Sequence, residues 1–111
     1  EAGWVVQKEN LSSFFQQNLS QTGFNQKEID DFIEYWIPLF TDCPYYAIYP
    51  QYNDELDEMI RLEFSMQPAN LIRLIYSMRG LETGNLSLQE PVVPLFDREG
   101  FTVTEWGVIL K

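Results

Sequence analysis

The 111-residue sequence contains no histidine and a single cysteine, Cys43. Without an imidazole, neither a serine nor a thiol nucleophile can be activated in the usual way, and the commonest metal ligand is missing. A lone cysteine closes no internal disulfide and completes no zinc set, so Cys43 is expected as a small buried apolar residue. Basic residues are scarce too: seven stand against seventeen acids, for a net charge of -10. That balance repels phosphate backbones and anionic lipid, which argues against nucleic acid as a direct partner. Long apolar runs are also missing. Trp36 to Phe40 and Leu74 to Tyr76 fall far short of the roughly 20 residues a membrane helix requires, so no membrane span is expected.

What remains is the composition of a folded chain. Hydrophobic residues make up 45% and aromatics 15%, well above disordered chains, and no low-complexity tract or fixed-period repeat interrupts them. The length suits one domain spanning 1–111. The sequence begins at Glu1 with no basic-then-apolar signal segment, and is expected to be a processed product or a piece of a longer protein. Charge is uneven. Between Glu28 and Glu63 there are ten acids and only Arg61 as a base, whereas Phe64 to Lys111 carries five acids and four bases.

Gly3-Trp4-Val5-Val6 predicts a short strand, and Asn10 is placed to cap a helix whose apolar positions Leu11, Phe14, Phe15 and Leu19 share one face opposite a glutamine-rich one. Gly23 is the expected left-handed stop. A second helix starts at Asn25, with Glu28 returning the capping bond and Phe24 stapling onto Ile29. Its stripe is Ile29, Phe32, Ile33, Trp36 and Phe40, and its end is bracketed by Pro38 and Pro44. Since only Phe24 separates Gly23 from Asn25, the helices form a tight αα-hairpin. Tyr45 to Tyr49 predicts a strand closed by Pro50, followed by an acidic connector from Gln51 to Met59. Ile60, Leu62, Phe64 and Met66 alternate with polar residues, and a turn at Gln67-Pro68-Ala69-Asn70 predicts that this strand pairs as a hairpin with Leu71 to Met78. A loose segment with Gly80, Gly84, Pro91 and Pro94 precedes a last strand, Phe101 to Trp106, extended by Val108 to Leu110. The expected fold class is α+β: a mostly antiparallel sheet of four to five strands with the helical hairpin on one face.

The segments Gly3-Trp4-Val5-Val6, Gly23-Phe24-Asn25 with Glu28, Asp31-Phe32-Ile33-Glu34-Tyr35-Trp36-Ile37-Pro38, Pro44-Tyr45-Tyr46, Ile72-Arg73-Leu74 and the tail Arg98-Glu99-Gly100-Phe101-Thr102-Val103-Thr104-Glu105-Trp106-Gly107 together resemble a domain of unknown function found in predicted bacterial cell-envelope and surface lipoproteins. The chain departs from that pattern at Pro68-Ala69-Asn70, where an acid usually follows the proline, and at Val108, where a second glycine is usual. The resemblance implies an extracytoplasmic, envelope setting and a place toward the C-terminal end of a longer protein. It implies no activity.

Candidate chemistry is confined to carboxylates and aromatics. Asn53-Asp54-Glu55-Leu56-Asp57-Glu58 puts oxygen ligands at alternate positions as a calcium loop would, but position six is not glycine and position twelve is Phe64, so a solvated acidic connector is the better reading. No metal, no cofactor and no catalytic residue is assigned. Tyr45, Tyr49 and Tyr52, with Asp54, Glu55, Asp57 and Glu58, form the candidate binding surface, because tyrosine supplies rigid amphipathic contact area. The competing reading is a half-buried strand. Asn10, Asn18 and Asn85 each open an Asn-Leu-Ser triplet, which the bacterial source implied by the resemblance makes coincidental. Arg73 lies within Leu71 to Ile75, and Glu105 lies on the alternation face of Phe101 and Val103. Two opposite charges in otherwise dry strands are expected to meet as a structural ion pair. The function expected is a non-catalytic interaction or structural module that binds a protein or another envelope component. An acidic decoy for a basic protein is the alternative, and a carboxylate-dependent hydrolase the third.

Overall fold

The computed structural model describes residues 2–52, 70–94 and 102–110, and it is an α+β fold. Its sheet runs in the order β1 (Trp4–Gln7), β2 (Tyr45–Tyr52), β3 (Asn70–Leu81), β4 (Thr102–Leu110). The pairings β1·β2 and β2·β3 are antiparallel, while β4 lies parallel to β3. Two helices, α1 (Leu11–Thr22) and α2 (Gln26–Trp36), form the expected hairpin.

The start of α2 is set by local chemistry. Asn25 Oδ1 accepts from the Glu28 amide at 2.9 Å and Glu28 Oε1 accepts from the Asn25 amide at 2.8 Å, so two orphan donors of the first turn are satisfied. Gly23 ends α1 with φ at 119°, a conformation that only glycine adopts without strain. The start of α1 differs from expectation. A 3-10 turn over Lys8–Asn10 runs directly into the helix, and Asn10 has φ -102° and ψ 0° with no side-chain capping bond. Its backbone has left the extended conformation from which a cap side chain reaches back over the first turn.

Alternation along the strands sorts their side chains between the two faces. Ile72, Leu74, Tyr76 and Met78 of β3, with Tyr46 and Ile48 of β2, join Leu11, Phe15, Leu19, Ile29 and Phe32 of the helices in one core. Phe15, Phe32 and Tyr76 meet pairwise edge to face at its centre, and Phe32 also meets Trp106 of β4 at 5.4 Å. Phe14, Ile33 and Trp36 pack around this core half-buried.

Two expectations about the strands are corrected. Pro50 does not close β2, which continues to Tyr52. The proline sits past Ile48, the last residue paired with β1, so its missing N–H deprives no β1 ladder bond. β3 takes β2 on one side and β4 on the other along Leu74 to Met78. The predicted hairpin with Ile60 to Met66 therefore cannot hold over that stretch, and Ile60 to Met66 themselves lie outside the described residues. The expected extension of the last strand by Val108 to Leu110 is present: β4 passes through Gly107 without a break. Its parallel pairing requires the chain after β3 to return across the molecule. On that return Gln89 bridges to Ala2, and its carbonyl accepts from the Gly3 amide at 3.0 Å.

A candidate ligand groove between helix α1, strand β1 and the returning chain

Two polar residues interrupt the buried stripe of α1. Leu11, Phe15, Asn18, Leu19 and Thr22 are all buried, and Asn18 is only 4% exposed. Thr22 satisfies its hydroxyl locally by donating to the Asn18 carbonyl at 2.9 Å. The Asn18 side chain reaches further: its Oδ1 accepts from the hydroxyl of Tyr76, in the middle of β3. Burial, and after it the nearby Tyr52 phenol, pushes the Tyr76 hydroxyl well above its ordinary pKa, so Tyr76 stays a neutral donor and Asn18 is held by its oxygen. Among the described residues no group accepts from Asn18 Nδ2.

Asn18 lines a groove of about 290 Å³. One wall is α1 with Phe14, Gln17, Asn18 and Gln21, another is Trp4 of β1, and the third is the returning chain at Glu90, Pro91 and Val93. The rings of Trp4 and Phe14 meet edge to face at 5.1 Å and are half-buried. Gln17, Gln21 and Glu90 are exposed. The groove thus joins a half-buried aromatic pair, one fixed amide, two exposed amides and one carboxylate. Pockets that bind small ligands share this character of an apolar wall with a few placed polar groups.

The residues singled out from sequence fall elsewhere. Tyr45 and Tyr49 point away from the helices, where a Cβ at Gly84 would come 2.8 Å from the Tyr45 ring and one at Gly3 would come 2.8 Å from the Tyr49 ring. Both rings therefore lie flush against backbone. Tyr52 alternates onto the other face and packs against the core, so the three tyrosines share no surface. Asp54, Glu55, Asp57 and Glu58 lie outside the described residues. Arg73 and Glu105 are register partners on β3 and β4, and Arg73 Nε donates to Glu105 Oε1 at 2.7 Å. The arginine side chain is 1% exposed and the glutamate 34%, on the sheet face away from the helices. A second carboxylate, Glu28, accepts from the Thr104 hydroxyl at 3.0 Å and ties the start of α2 to β4.

Sequence reasoning missed the groove. The legible signal was a polar residue, Asn18, set between the apolar positions Phe15 and Leu19 of the helical stripe, beside a glutamine-rich face. Nothing local to the sequence announced that Glu90 and Pro91 return to that face.

Among the described residues no three His, Cys, Asp or Glu side chains cluster as a metal site, and no helix is long and apolar enough to cross a membrane. No protein-family model, curated protein or solved structure matches the chain, so no relative lends it a function.

Proposed function

We propose that this chain is a non-catalytic interaction module of a bacterial cell-envelope protein, and that it holds its partner in the groove between α1, β1 and the returning chain. The observation that carries the reading is the groove's composition. Three amides, two aromatic rings and a single carboxylate can orient a polar ligand, yet they contain no nucleophile and no second acid to work with Glu90. The envelope setting rests on the motif resemblance alone, the Gly3-Trp4-Val5-Val6 start and the Glu105-Trp106-Gly107 tail included.

The test is an NMR titration of the isotopically labelled chain with neutral oligosaccharides, an acidic peptide and a basic peptide. A module of this kind gives saturable shifts at Trp4, Gln17, Asn18 and Gln21 with at least one probe, and the probe is recovered unchanged. A chemically altered probe would overturn the non-catalytic reading, and probes that shift only other surfaces would overturn the site. Binding of the basic peptide alone, lost steeply with added salt, would favour an acidic decoy, since screening weakens exposed charge pairs first.

A further inference from the structure

The groove's hydrogen-bonding inventory defines the chemical class of its ligand. Asn18 is the least exposed polar side chain in it, and its orientation is fixed because Oδ1 is taken by Tyr76. The amide therefore offers the groove only its Nδ2 donors, and a ligand must bring an acceptor to meet them. Glu90, contributed by the returning chain, accepts only, and a ligand must bring it a donor. An anion would supply the acceptor but would face Glu90 within a chain of net charge -10. A cation would suit Glu90 but leave the Asn18 donors facing positive charge. A neutral hydroxyl is donor and acceptor at once, and meets both.

The remaining groups favour an array of hydroxyls on a ring. Gln17 and Gln21 stand one turn apart on α1, about 6 Å along the helix axis, a span matched by hydroxyls on opposite edges of a hexopyranose. Each glutamine can present either end of its amide, as a ring with hydroxyls in varied orientation requires. The half-buried rings of Trp4 and Phe14 offer the electron-rich surface against which the C–H face of a sugar packs. A volume of about 290 Å³ limits the groove to a short stretch of such a ligand.

We infer that the groove binds a neutral hexose-based oligosaccharide, with Asn18 and Glu90 fixing its hydroxyls and Gln17 and Gln21 reading the ring edges. The inference rests on the proposed interaction module and adds its ligand class. Isothermal titration calorimetry of the whole chain with cello-, chito- and manno-oligosaccharides tests it, followed by NMR mapping of whichever sugar binds. Saturable binding with shifts of the Trp4 indole N–H and the Asn18, Gln17 and Gln21 side-chain amides is expected. Gln17→Ala and Gln21→Ala, both at exposed positions, should each weaken it about tenfold, the loss of one well-made hydrogen bond, with unchanged melting temperatures. Glu90→Gln, which removes charge and keeps shape, should weaken the sugar without creating affinity for an acidic peptide. No binding by any of the three sugar series overturns the inference. If a basic or acidic peptide moves the groove resonances instead, the sugar assignment falls while the interaction module stands. If sugars bind but move only residues outside the groove, the site falls.

Discussion

At the scale of the residue, the buried polar groups make the sharpest predictions. Tyr76→Phe removes the donor that Asn18 Oδ1 receives inside the core, and chemical denaturation should show a loss of about 1–3 kcal/mol. The same hydroxyl gives the fold a dependence on alkaline pH. Its pKa is raised in the folded chain, so above its ordinary value the unfolded chain loses a proton that the folded one keeps. The stabilisation is complete below about pH 10 and is lost as pH rises from there through the folded pKa, at up to about 1.4 kcal/mol per pH unit. Stability measured against pH should show this slope in the parent chain and a shallower one in Tyr76→Phe; equal slopes would assign the alkaline transition to another group. The ion pair behaves asymmetrically. Glu105→Leu leaves a guanidinium buried with one fewer counter-charge and should destabilise by roughly 3 kcal/mol. Arg73→Met removes the buried charge and leaves a carboxylate already one-third in water, so its loss should be smaller. A double-mutant cycle reads the coupling, and additive losses would show that the 2.7 Å contact carries no net energy.

At the scale of the element, α2 and its anchor were the most legible part of the chain, because capping is written within four residues. Asn25→Ala should lower stability by about 1 kcal/mol. Glu28→Ala should lose more, since that carboxylate accepts from both the Asn25 amide and the Thr104 hydroxyl. Equal losses would mean that the tie to β4 contributes nothing. The stripe was legible as well, but its periodicity did not rank the members. Phe32 is fully buried and Phe32→Ala should cost about 3–5 kcal/mol, whereas Trp36, half-buried at the helix end, should cost less. The α1 start was misread because an N-cap residue is recognised by type, while the turn over Lys8–Asn10 that displaced its side chain depends on where β1 delivers the chain. Pro50 was misread for a related reason. Proline ends a strand only where a ladder bond would be lost, and the reach of β1 is a tertiary fact. The parallel placement of β4 did leave a trace: the chain between Leu81 and Thr102 is long for a hairpin and long enough for a crossover.

At the scale of the whole molecule, the fold class was legible and the groove was not, because layers follow from local periodicity whereas the groove is made where residues distant in sequence meet. The register of Gln89 against Ala2 brings Glu90 and Pro91 to the groove beside α1. The net charge also acts at this scale. With -10 distributed over 111 residues, self-repulsion opposes compaction, so the melting temperature should rise as sodium chloride is increased from about 10 to about 150 mM and screening sets in. A fall over that range would mean that attractive pairs such as Lys27–Asp31 outweigh the repulsion. The strand order has a mechanical consequence. Among the described strands β1 and β4 stand at opposite ends of the order and point the same way, so the first strand leaves at one end of the sheet and the last at the other. Tension applied through the two ends of the chain would slide the strands past one another, loading the bonds of each ladder together rather than peeling them one at a time. The short β1·β2 ladder, from Trp4 to Gln7, would yield first, and with it would go the Trp4 wall of the groove. A pull on the chain would therefore release a ligand held there before the core opened.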